Sequence, residues 1–133
     1  MRVTISSSLL DRIFAEAAAS PEREICGLLL GREGAIKQAV PADNVAADPA
    51  RRFEVDPAAL FAQARRERQG GAAMLGPYHS HPEGDAMPSA CDAAAAEPGR
   101  LWLIVAGGRA TAWRAVPGGA VHGAFDPVAL DIL

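Results

Sequence analysis

Apolar positions along this chain fall into two rhythms. Leu9, Leu10, Ile13, Phe14 and Ala17 recur at helical spacing behind Ser6 to Ser8, and Ser20-Pro21 stops the repeat. Ile25-Cys26-Gly27-Leu28-Leu29-Leu30 is instead a short continuous apolar run closed by Gly31, the pattern of a buried strand. Arg32-Glu33-Gly34 turns it, and Ala35 to Val40 returns as its hairpin partner. Pro41 to Arg52, with two prolines, Asn44 and two aspartates, reads as a loop, and Phe53-Glu54-Val55 as a short strand. Asp56-Pro57 supplies an N-cap and a first-turn proline for a helix whose apolar face is Leu60, Phe61 and Ala64. Arg65, Arg66 and Arg68 suit the negative end of its dipole as a solvated terminus, and Gly70-Gly71 ends it. Ala72 to Tyr78 is strand-like and leads into His79, and Ser89 opens a helix through Ala96, broken by Pro98-Gly99. Leu101 to Val105 is a second apolar strand, Gly107-Gly108 turns it, and Ala110 to Val116 alternates as its partner. Ala120 to Phe125 reads as a last strand. Interleaved strands and helices with several hairpins predict a mixed α/β fold, a central mixed sheet flanked by helices.

Composition narrows the class. The 133 residues fit one domain spanning 1–133, and 50% hydrophobic content is enough for a core. A net charge of -3 and only 5% aromatic residues argue against nucleic acid as a partner. No segment has the length of a membrane span, and Met1 to Ser6 lack a signal-peptide layout, so a cytoplasmic location without membrane contact is expected. Cys26 and Cys91 are too few for a disulfide framework and form no C-x-x-C pair.

The chemistry concentrates in His79-Ser80-His81 and the residues that follow. On an extended chain, residues two apart point to the same side, so both imidazoles can converge on one ion. Asp92, on the first turn of the next helix, can add a carboxylate oxygen. Two nitrogens and one oxygen leave a fourth position open, the arrangement of a catalytic zinc rather than a structural one. Ser80 points the other way and is structural; Cys26 reads as a buried small hydrophobe. Cys91 has no ligand role, and His122 reads as a surface residue. Trp102 and Trp113 fit hairpin packing. Ser89 is an N-cap or faces the site, and spacing alone does not separate Glu22, Glu24 and Glu83 as a general base.

His79-x-His81, seven residues, Ser89, two residues, Asp92 resembles the signature of the JAMM (JAB1/MPN/Mov34) metalloproteases. Glu24 in Glu24-Ile25-Cys26-Gly27 resembles the upstream glutamate of that family, and Phe53-Glu54-Val55-Asp56-Pro57 and Gly76-Pro77-Tyr78-His79 are weaker likenesses. The resemblance is to a stand-alone prokaryotic member. It implies a JAB1/MPN-like fold related in layout to the zinc deaminases. His79, His81 and Asp92 would hold one zinc ion per chain, Glu24 would move the proton and Ser89 would assist the oxyanion. It further implies a peptidase or isopeptidase acting after the C-terminal Gly-Gly of a ubiquitin-like or sulfur-carrier protein, with a homodimer compatible. A non-catalytic scaffold is the alternative of another class. A zinc deaminase would pair His-x-Glu with Pro-Cys-x-x-Cys; this chain has His79-Ser80-His81 and Pro88-Ser89-Ala90-Cys91-Asp92 with a single cysteine, so the ligand set differs.

Overall fold

The computed structural model describes Met1–Leu133. The elements run β1 (Arg2–Ile5), α1 (Ser7–Ala19), β2 (Cys26–Arg32), β3 (Ala35–Ala42), α2 (Pro57–Arg68), β4 (Ala73–Ser80), α3 (Ala90–Ala95), β5 (Leu101–Ala106), β6 (Arg109–Gly119) and β7 (Gly123–Ile132). The sheet is mixed, as expected, and it closes on itself as a barrel in the order β1-β3-β2-β4-β5-β6-β7. The closing seam pairs β1 with β7 in parallel, from Arg2 opposite Ala129 to Ile5 opposite Ile132. Closure leaves no open edge for another chain to extend.

β5 shows why the apolar runs read as they do. All six of its residues are buried, because both of its faces are covered. Leu101, Leu103 and Val105 join Leu10 and Ile13 of α1 in one core. Trp102, Ile104 and Ala106 face a second core with Trp113 and Phe125. Trp102 and Trp113 are direct cross-strand partners, as hairpin packing requires.

Two glycines set how closely the strands approach the site. A Cβ on Gly76 would overlap the Leu101 carbonyl, and one on Gly27 would run into the Tyr78 ring and the Val40 carbonyl. Tyr78 is fully buried, its hydroxyl donating to Glu16 Oε2 at 2.9 Å. Gly76→Ala is therefore expected to cost about 3 kcal/mol, because the clash is with backbone that cannot rotate away. Urea unfolding checks this; an unchanged midpoint would contradict so tight a strand approach.

Several elements depart from the sequence pattern. Phe53-Glu54-Val55 is not a strand; only Val55 bridges, to Asn44. The last strand starts at Gly123 and runs to Ile132 instead of covering Ala120 to Phe125. Positive φ at His122, in the turn, and at Gly118 and Gly123, in the strand ends on either side of it, reverses the chain there and starts β7 at Gly123. Arg2–Ile5 is a strand that the pattern reading passes over, although Val3-Thr4-Ile5 is a short β-branched run. In α2 the cap is as predicted, Asp56 accepting from the Ala58 amide with Pro57 in the first turn. Its face is not: Leu60 and Phe61 are exposed, and the buried residue is Gln63. Gln63 donates to Ala72 O at 2.8 Å and Glu67 at 3.1 Å and accepts from Arg66 at 2.8 Å. A polar side chain so fully partnered can be buried cheaply, and it seats the helix where an apolar stripe was expected. No helix is long and apolar enough to cross a membrane.

Candidate metal centre

β4, α3 and β5 form one parallel crossover unit, with β4 and β5 side by side. In such units ligands gather at the carboxyl ends of the strands, and that is where His79 and His81 lie. α3 starts from the same end. Ser89 caps it, its Oγ accepting from the Asp92 amide at 3.1 Å, and the Ser89 amide donates to Asp92 Oδ2 at 2.9 Å. This reciprocal capping box fixes the rotamer of Asp92 toward the two histidines.

The three side chains meet. His79 Nε2 lies 3.1 Å from Asp92 Oδ1 and His81 Nε2 3.1 Å from Asp92 Oδ2. The two Nε2 atoms are 3.1 Å from each other. Bonds of about 2.0–2.1 Å at tetrahedral angles would separate two donors on one zinc by about 3.3 Å, close to the Nε2–Nε2 spacing and to each imidazole–carboxylate contact. Glu24 belongs to the same group: one donor atom from each of Glu24, His79, His81 and Asp92 lies within 4.8 Å of all the others.

Barrel register explains how Glu24 comes to lie there. β2 runs antiparallel to β4 with Cys26 opposite His79, so the residues before β2 come alongside the end of β4. Ser80, facing away from the histidines, accepts the Ile25 amide at 2.9 Å and pins that segment. Glu22 and Glu83, which spacing alone left as equals, are both exposed, whereas Glu24 is 4% exposed and its Oε1 has no partner. A buried carboxylate oxygen left unpaired is costly unless a cation or proton meets it.

The ring tautomers suit metal binding. His81 Nδ1 lies 2.8 Å from the Asp85 carbonyl, which can only accept, so Nδ1 carries the proton and Nε2 keeps its lone pair. His79 is held by packing instead: Phe53 stacks on it at 4.2 Å and Trp102 meets it edge-on at 5.5 Å. Its buried Nδ1 has no partner.

Electrostatics divide the charges. Burial pushes His79 below the usual histidine range. Burial also works against a charge on His81, but hydrogen bonds to Asp92 and to the Asp85 carbonyl outweigh it and raise its pKa. Burial alone would raise Asp92; hydrogen bonds from both histidines and from Ser89 hold it well below the carboxylate range. Glu24 is pushed up to about 7, mainly by burial.

The remaining candidates lie as follows. Cys26 is buried, with its thiol pushed up to about 12 by burial, and Cys91 is exposed; both are free. Neither belongs to the donor group, so the cysteine-rich set of a deaminase is not assembled here. His122 is exposed, yet its Nε2 reaches the Pro88 carbonyl at 3.1 Å, beside the Ser89 cap. Asn44, which the sequence marked only as a loop residue, turns out to tie the site together; its single cue was its place in a Pro- and Asp-rich loop.

Comparison with known proteins agrees with this geometry. Residues 6–116 match the family of prokaryotic homologs of the JAB domain. A desampylase of Haloferax volcanii is 37% identical over 119 residues, covering 84% of this chain and 86% of that protein. A probable TtuB-protein conjugate cleaving protease of Thermus thermophilus is 32% identical over 88 residues, 66% of this chain and 59% of that protein. Among solved structures, a protein of Desulfitobacterium hafniense superposes with a TM-score of 0.82 at 26% identity, covering 98% of this chain and 92% of that one. A JAB1/MPN domain protein from Archaeoglobus fulgidus shares the fold at a TM-score of 0.62 and 18% identity, over 97% of each chain. With a partly buried His-His-Asp triangle, a buried glutamate beside it and a family match over most of its length, this chain belongs to the prokaryotic homologs of the JAB domain.

Proposed function

We propose that residues 1–133 act as one zinc-dependent hydrolase domain. It cleaves amide bonds, isopeptide bonds included, that join the C-terminal Gly-Gly of a ubiquitin-like or sulfur-carrier protein to an amine. The observation that carries the reading is the triangle of His79, His81 and Asp92 with the unpartnered Glu24 beside it. The conjugate-cleaving name of the Thermus relative and the desampylase name of the Haloferax relative support the substrate class. The domain works in the cytoplasm in this reading.

His79, His81 and Asp92 would hold the ion. Zinc bound there supplies a Lewis acid for the scissile carbonyl and makes water acidic enough to attack near neutral pH. Glu24, buried and with a pKa near 7, takes the proton of the attacking water and returns it to the leaving amine. Ser89 uses an oxygen lone pair for the Asp92 amide, so its hydroxyl proton stays free to stabilise a developing oxyanion. Phe53 and Trp102 line a cavity of about 660 Å³ together with Leu28, Pro57 and Leu60.

The test is a carrier protein extended past Gly-Gly through a peptide or lysine isopeptide bond. Cleavage immediately after Gly-Gly by the zinc-loaded protein, and none when Ala-Ala replaces the tail, is the expected result. Equal cleavage of both tails would remove the tail specificity, and no cleavage of either would remove the function.

A further inference from the structure

Asn44 uses its whole hydrogen-bonding capacity on backbone. Its Nδ2 donates to the Glu24 carbonyl and to the Arg52 carbonyl, each at 3.0 Å. Its Oδ1 accepts from the Ala46 amide at 3.0 Å and the Glu54 amide at 3.1 Å. Two donors and two lone pairs all engaged is the full complement of an asparagine, and only this orientation of the amide satisfies all four. The four partners come from two places. One is the segment that delivers Glu24. The other is the loop from Ala46 to Glu54, whose Phe53 stacks on His79. The two are joined a second time, by the Glu24 amide donating to Pro49 O at 2.8 Å.

We infer that Asn44 is a positioning residue, holding the backbone that carries Glu24 and the loop that carries Phe53 in one frame beside His79. It touches neither the donor triangle nor the open side of the site, so it acts through Glu24. A shift of about 1 Å in a catalytic group costs on the order of 100-fold in rate, and a side chain that fixes two backbones at once can set such a shift. The inference rests on the proposed hydrolase reading for its kinetic part only.

Asn44→Asp tests it. The aspartate keeps the two accepting contacts that shape the loop and loses the two donated ones. Amide hydrogen exchange of the zinc-loaded protein is expected to accelerate more than about 10-fold at Glu24, while the Ala46 and Glu54 amides stay protected. The kcat for conjugate cleavage is expected to fall about 10- to 100-fold with KM changed less than about 2-fold. In a Glu24→Gln background the same substitution should change kcat less than about 2-fold, because there is no base left to misplace. Unchanged exchange at Glu24 overturns the clamp. An equal loss of kcat in both backgrounds overturns the positioning role and leaves general damage as the cause. If Asn44→Asp does not fold, Asn44→Ala, which sets no charge against the two carbonyls, is read by the same ratios. Wild-type cleavage that survives chelation counts against the hydrolase reading instead, and the exchange arm still decides the clamp.

Discussion

Replacing Glu24 by glutamine is expected to lower kcat by about 10²–10⁴-fold, the usual contribution of a general base, with one zinc per chain retained. Glutamine keeps the shape of the side chain and leaves the His79–His81–Asp92 triangle intact, so metal uptake and KM should change little. What it removes is the basic oxygen. Single-turnover cleavage with elemental analysis of the same sample reads both quantities, and a loss under 10-fold with full zinc would take the base role away from Glu24. The same variant carries a stability signature in the metal-free protein. Burial raises the folded pKa of Glu24 from 4.5 to about 7. The protonated carboxyl is thus fully compatible with the fold below the unfolded pKa, and stability is lost as pH rises from there through the folded value. At pH 8 the metal-free wild type should be the less stable of the two by an amount on the order of 2–3 kcal/mol, and at pH 4 the two should be close. Denaturant titration at the two pH values checks the sign.

Removing the metal should have the largest effect of all. Chelation is expected to bring hydrolysis to background and to lower the thermal midpoint by about 10 °C relative to protein in zinc at 100 times its dissociation constant, an occupancy that stabilises by about 2.7 kcal/mol. The physical cause is in the geometry. His79 is fully buried and Asp92 3% exposed, and without an ion two imidazole nitrogens face each other at 3.1 Å. A proton on His81 covers part of that cost; a divalent ion covers more. Calorimetry with and without chelator, followed by zinc readdition, measures both changes. Full activity in protein shown by elemental analysis to hold no metal would end the metallohydrolase reading.

Much of this site is legible in the sequence because its parts are local. His79 and His81 share a strand end, and Ser89 and Asp92 share a helix cap, so period and spacing suffice to bring each pair together. Glu24 is different. Spacing leaves it level with Glu22 and only the family resemblance points to it; the pairing of Cys26 with His79 is what brings it beside the histidines, and register between strands so far apart in the chain has no local signal. Arg2–Ile5 is similar: four residues become a strand through distant partners, β7 along their whole length and β3 at Thr4. Leu60 and Phe61 misled for a related reason: periodicity reports an apolar face but not whether a polar residue such as Gln63 can satisfy itself underneath. Asn44 was unreadable because its work is done through backbone, and backbone partners leave no trace in residue type.

The seam between β1 and β7 also has a consequence for biosynthesis. Arg2 meets Asp131, 129 positions along the chain, at 2.6 Å, so β1 must wait until β7 has been made before the wall can shut. Both histidines and Asp92 emerge well before that moment. Zinc can thus meet its ligands on an unfinished chain, whose edges stay open to misassembly until Ile132 is in place.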